Sequence, residues 1–271
     1  MTEMPGILTY DFIQNAIMAG LLASIVCGLI GPFIVARQMV FVSGGLSHAA
    51  FGGLGIAYFM GVNPIYGATA FVLLAAAGLG ISEGKTQKSD LLIGILWAVG
   101  MAIGIIFIHL TPGYAPNLIT FLFGNILTVP RSDIFIMSML VLLVTVSFLI
   151  FYKGLVSIAF DEEYAKARKL PVRYLNIGLL LLTGLSIIIL IQVVGIILVI
   201  ALLTIPVAIA EELSMKFERI MIISILLGIL ICWAGLFLSY FMEFPSGASI
   251  ILVGAILLGL VKITKRSISH S

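Results

Sequence analysis

The chain has 271 residues, 62% of them hydrophobic and only 10% charged, with a mean hydropathy of +1.27. A water-soluble domain carries about a quarter charged residues, so this composition excludes a soluble enzyme or nucleic-acid-binding module and predicts an all-α, polytopic membrane helix bundle. The net charge of +2 is uninformative; the placement of the charges is not.

Apolar stretches at 11–36, 41–60, 64–81, 90–110, 133–152, 174–192, 194–210, 219–241 and 247–262 predict about nine spans, most near the ~20 residues a bilayer requires. An eight-span alternative merges or drops one of the pair around Gly195. The whole chain, 1–271, reads as a single transmembrane domain. The first stretch has no basic residue before it and no small-residue cleavage site at its end, so a membrane helix is expected rather than a removable signal. Pro32 in the first span and Pro206 in the seventh predict kinks, with Pro206 the candidate for a gating one; a packing kink without a role in gating is the plainer alternative.

The second span, Met39 to Gly61, carries one ionisable residue near its middle, His48. Gly44, His48 and Gly52 follow at i, i+4, i+8 and share a side of the helix. Gly45, Ala49 and Gly53 repeat the small-residue spacing that lets membrane helices approach closely. An imidazole at bilayer depth is costly unless it faces protein, water or an ion. Two readings follow: a packed, hydrogen-bonded core histidine, or a substrate path along Gly44, His48 and Gly52, with Ser47 adjacent.

Further along, 117–129 is apolar but too short to cross, and Pro112, Pro116 and Pro130 bracket it as turns. It is expected to be a short external or re-entrant helix. The loop 153–173 is the one sizeable cytoplasmic loop, and its centre predicts a short helix. Asp161 caps it, Glu162 and Glu163 occupy the first turn, Arg168 and Lys169 the last, and Pro171 stops it. Glu162 and Lys166 are i, i+4 partners. A solvated loop and a docking helix for a cytoplasmic partner both fit. With nine spans and the N-terminus outside, every Lys and Arg except Arg131 falls on the inner side, along with the C-terminus.

Several motifs carry no chemistry. Glu83-Gly84-Lys85-Thr86 resembles the end of a phosphate-binding loop, but Leu79 stands where its first glycine is needed, so no ATPase is expected in this chain. Ser47 and His48, as helix neighbours, point about 100° apart and cannot form a nucleophile–base pair. His109 reads as interfacial, Glu211 and Glu212 as a solvated helix end, and Cys27 and Cys232 as packing residues. No carboxylate lies at membrane depth, which argues against a stand-alone proton- or sodium-driven cation carrier and leaves an external ATPase as the energy source.

Three ordered motifs carry a family likeness. Arg37, Met39, Phe41, Leu46, Ser47, His48 and Ala49 resemble the hallmark R-x-M-S-F-x-G-D-A-L-S-H-A of the ABC-3 family, the permeases of zinc, manganese and iron ABC importers. Phe160-Asp161-Glu162-Glu163-Tyr164-Ala165 with Lys169-Leu170-Pro171-Val172 is similar to the family's F-D-x-E-x-A…G-L-P-V, its ATPase-coupling helix. Gln192 to Gly195 and Ala201 to Pro206 resemble Q-x-V-G…A-L-L-x-I-P, and Leu122 to Leu127 the short external helix. The resemblance implies a type II importer fold and a homodimer of permeases in the cytoplasmic (inner) membrane. It also implies a cytoplasmic ATPase dimer, an extracytoplasmic metal-binding protein, no permanent cofactor and a divalent metal ion as cargo. Asp161, Glu162, Tyr164, Ala165, Arg168, Leu170 and Pro171 would then couple to the ATPase. In the family, an Asp four residues before the His is thought to ligate the ion, and Gly44 stands there in this chain. Two His48 side chains, one per protomer, would be weak coordination completed by water, unless another residue substitutes for the Asp. Manganese favours oxygen ligands more than zinc does, so this departure tilts the sequence reading towards zinc. An importer of metal chelates with the same fold is the remaining alternative.

Overall fold

The computed structural model describes residues 10–82, 89–112 and 124–269, which form ten α-helices and a short 3-10 turn, with no strand among the described residues. Nine of the helices among the described residues are long and apolar enough to span a bilayer. These are α1 (Asp11–Ala36), α2 (Val40–Phe59), α3 (Pro64–Ser82), α4 (Ser89–Leu110), α5 (Arg131–Phe160), α7 (Val172–Val194), α8 (Ile196–Leu213), α9 (Phe217–Met242) and α10 (Ser246–Ser269). Between α5 and α7 lies the short α6 (Glu162–Ala167). The expected all-α polytopic bundle is therefore present, at the expected number of spans.

The connections follow local chemistry. At the end of α1, Gln38 takes a left-handed φ of +56°. Its N–H donates to Val35 O at 2.9 Å and that of Met39 to Ile34 O at 2.8 Å, the paired bonds of a Schellman closure. α2 closes in the same way through Gly61, at φ +69°, where glycine carries no steric penalty. Asn63 then accepts from Ile65 N at 3.0 Å, and Pro64 takes the first helical position of α3. One residue, Gly195 at φ +82°, separates α7 from α8, so the two spans around it are distinct.

Two boundaries differ from the expectation. α5 runs to Phe160 rather than ending near Lys153, because the apolar residues after Lys153 continue the helix; the following loop begins only at Asp161. Of the short helix expected over 117–129, residues 117–123 lie outside the described residues. From Gly124 the chain leads into the 3-10 turn Ile126–Thr128, where Asn125 accepts from Leu127 N at 3.2 Å.

Contacts divide the chain into two units. The first comprises Met1–Pro32, Ile119–Thr145 and Gln192–Ser271. Here a Cβ on Gly28 would meet the Ile225 backbone at 2.8 Å, and one on Gly31 the Leu203 carbonyl at 2.6 Å, so α1 crosses α9 and α8 at backbone distance. Cys27 and Cys232 are both free and buried in this unit, and Ser24 Oγ donates to Gly20 O at 2.6 Å and to Cys232 Sγ at 3.5 Å. Pro206 is buried on α8, whose helix continues unbroken through it, as α1 does through Pro32. Glu212, at the end of α8, pairs with Lys265 of α10 at 2.8 Å.

The second unit comprises Phe33–Leu118 and Val146–Ile191. α2 is its centre, packed on α3 and α4. A Cβ on Gly53 would collide with the Gly67 carbonyl of α3, and one on Gly100 of α4 would lie 2.7 Å from Ala49 Cα. Gly45 abuts Ile93 of α4. The stripe Gly45, Ala49, Gly53 thus does what its spacing predicts: it lets two neighbours approach α2 to backbone contact.

Candidate functional site

His48 is the ninth residue of the 20-residue α2, near the middle of the span. Its ring lies flat against Trp97 of α4, with ring centroids 4.2 Å apart and planes 8° from parallel. Its Nδ1 is buried and has no hydrogen-bond partner among the described residues. A buried polar nitrogen without a partner costs free energy, and this one leaves the plainer core-histidine reading short of one hydrogen bond. The stack fixes the ring plane and leaves the nitrogen lone pair or N–H available in that plane.

The residues grouped with His48 divide in their surroundings. Ser47 is fully buried, and its hydroxyl donates to Ser43 O at 2.7 Å, back along its own helix. Gly44 is buried one turn before His48. One turn after it, a Cβ on Gly52 would lie 3.0 Å from the Gly100 carbonyl and 3.2 Å from Phe71 Cζ. The space at Gly52 is therefore occupied by α4 and α3, because α4 carries small residues of its own at Gly100 and Gly104 that let it close in. Among the described residues there is no group of three or more His, Cys, Asp or Glu able to hold a metal ion. The histidine candidate at this depth is thus His48 alone among the described residues of α2.

The second set of residues builds α6. Asp161 accepts from Tyr164 N at 2.8 Å as the N-cap. Lys166 pairs with Glu162 at 3.1 Å and with Glu163 at 2.9 Å. Its hydrogen bonds to Glu163 and then Glu162 hold the Lys166 ammonium above the ordinary lysine range. The helix ends in a Schellman closure: Lys169 N donates to Lys166 O at 2.9 Å and Leu170 N to Ala165 O at 3.1 Å, with Lys169 at φ +59°. Arg168 lies 5.7 Å over the Tyr164 ring.

Exposure sorts these residues. Ala165 is fully buried and seats α6 on its own chain, whereas Tyr164 is 52% exposed. Asp161, Arg168 and Pro171 are also exposed, and Leu170 is half-buried. The free face of α6 is thus Glu163, Tyr164, Lys166 and Arg168. His48 with its neighbours and all of α6 lie in the second unit; Pro206 lies in the first. Trp97 escaped the sequence reading because an aromatic residue in a uniformly apolar helix carries no periodic sign of what it faces.

Comparison with known proteins gives a consistent result. The model of the ABC 3 transport family matches residues 9–265. An uncharacterized membrane protein of Synechocystis sp. is 46% identical over 250 residues, covering 92% of this chain and 89% of that protein. The manganese transport system membrane protein MntC of Listeria innocua is 36% identical over 258 residues, covering 95% of this chain and 92% of its own. Among solved structures, PsaBC from Streptococcus pneumoniae in complex with Fab matches with a TM-score of 0.83 at 33% identity, covering 94% of this chain and 92% of that one.

Proposed function

Because this chain belongs to the ABC 3 transport family, it is a multi-pass membrane permease subunit and not an enzyme, and we propose that it forms the conduit of an ATP-driven importer of divalent metal ions. The observation that carries the proposal is His48: a mid-span imidazole held flat by Trp97, with a buried nitrogen that hydrogen-bonds to none of the described residues. Such a nitrogen suits a hydrated divalent cation in transit. Manganese is the first cargo proposed, since the Listeria innocua relative is named for manganese transport. Zinc, favoured by the missing carboxylate at Gly44, and iron are its competitors.

In this reading two copies of the chain pair around the path, so that two His48 rings and water coordinate the ion loosely. A cytoplasmic ATPase dimer docks on the free face of α6, and an extracytoplasmic binding protein delivers the metal. The one-sided placement of Lys and Arg supports an external N-terminus and a cytoplasmic C-terminus in the cytoplasmic membrane. Pro206, which cannot donate a hydrogen bond to the preceding turn of α8, is the proposed point of flexure.

Proteoliposomes containing the permease, its ATPase and its binding protein test this. The expected result is manganese accumulation that requires ATP, with zinc and iron competing more weakly than unlabelled manganese. Uptake by the permease alone without ATP would make it a secondary carrier, and chelated metal outcompeting the free ion would make it a chelate importer. Tyr164→Glu, on the exposed face of α6, is expected to reduce co-purification of the ATPase while leaving the permease folded. Undiminished capture would remove α6 from the docking surface.

A further inference from the structure

Arg37 closes α1, and its side chain is only 8% exposed. The Schellman closure through Gln38 fixes its backbone, and α2 begins three residues later at Val40. Its Nη1 donates to Asn176 Oδ1 of α7 at 2.6 Å. Its Nη2 lies 3.7 Å from Glu162 Oε2, on the first residue of α6. One guanidinium therefore touches α6 and α7 from the root of the helix that bears His48. Burying a cation is costly, and an apolar side chain would pack such a corner at least as well. A planar fork that engages two partners in two directions is what an apolar residue, or a lysine, does not supply.

Glu162 has a second cationic partner, Lys166, at 3.1 Å within α6 itself. The two cations meet different oxygens of the carboxylate, so it can leave Arg37 without losing its counter-charge. α2 meets α4 and α3 at backbone distance at Ala49 and Gly53 and the Ile93 side chain at Gly45, a packing that leaves it little room to bend between its root and His48. His48 lies eight residues beyond Val40, about 12 Å along the helix at 1.5 Å per residue.

We propose that Arg37 is a positioning residue that transmits displacement of α6 to α2, and through α2 to His48. This rests on the reading of α6 as the ATPase-docking helix. The test is the number of manganese ions transported per ATP hydrolysed by the complete complex in proteoliposomes, after co-purification has established assembly of each variant. Arg37→Gln, which loses the charge-assisted hydrogen bond to Asn176 together with the ion pair to Glu162, is expected to lower that ratio about tenfold. Glu162→Gln, a change at a partly exposed side chain, should lower it in the same direction. The double variant should fall no further than Arg37→Gln alone, because the Arg37–Glu162 contact is already lost there and Lys166 keeps Glu163 as a partner. Arg37→Lys, which keeps the charge and loses the fork, should recover only part of the ratio.

The proposal is overturned if Arg37→Gln stays within about twofold of the unaltered complex, the scatter of independent sites. It is equally overturned if the two single losses multiply in the double variant. The same holds if Arg37→Gln fails to assemble while Glu162→Gln assembles with an unchanged ratio, since Arg37 would then serve folding alone. An unaltered complex that neither binds the ATPase nor moves metal would refute the docking reading; one that does both while Arg37→Gln remains coupled would refute only this inference.

Discussion

His48 and Trp97 lie face to face, and the indole sets what the imidazole can do. The stack holds the ring plane at 8° to Trp97, so the unpartnered Nδ1 is aimed without a hydrogen bond to aim it. Trp97→Leu is expected to lower metal uptake about fivefold, the kinetic equivalent of an aromatic pair worth ~1 kcal/mol, without loss of folded protein; unchanged uptake would reduce Trp97 to packing. Lys169 offers a separate test on stability. It takes φ +59°, where the family pattern carries glycine and where an L side chain costs about 1–2 kcal/mol. Lys169→Gly should raise the apparent Tm by about 2 °C, and a lower Tm would contradict the cap geometry. The histidine was legible in the sequence because an ionisable residue stands out in an apolar span. Its orphaned nitrogen was not, since that depends on which residues of α4 face it. Arg37 was visible as part of a motif, but its bond to Asn176 spans 139 positions, and no spacing rule reaches that far.

Each span is announced by a run of apolar residues as long as the bilayer is thick, so all nine were legible. Their ends were less so. Lys153 read as the end of a span, yet α5 continues to Phe160, because one lysine does not stop a helix whose next residues sustain it. The cap of α6 was legible at Asp161, since a carboxylate followed by Glu162 and Glu163 is a local signal. The face that α6 presents was not, because Ala165 turns inward only through contacts made by the folded chain. The glycine stripe of α2 predicted close packing but not the partners, α3 and α4, nor that Gly52 would be filled from both. Gly53→Val tests the stripe. The nearest atoms are Gly67 backbone atoms, which cannot rotate aside, so the variant should lose about 3 kcal/mol and accumulate poorly in the membrane. Normal yield and Tm would mean that α2 and α3 tolerate separation.

Across the whole chain, the composition fixes the environment and the family fixes the role, while the cargo rests on one ring. All the Lys and Arg except Arg131 gather on one side of the predicted topology, the side on which an ATPase is proposed to dock. Among the described residues no chain-internal cluster completes a metal shell, so the ion is proposed to be passed along rather than kept. The most direct measurement is ATP-dependent manganese uptake into proteoliposomes by the complete complex carrying His48→Ala, with ATPase assembly verified. The account predicts at least about a tenfold fall in uptake, one 1.4 kcal/mol step in the barrier to passage, in a complex that still assembles; uptake equal to that of the unaltered complex would contradict it.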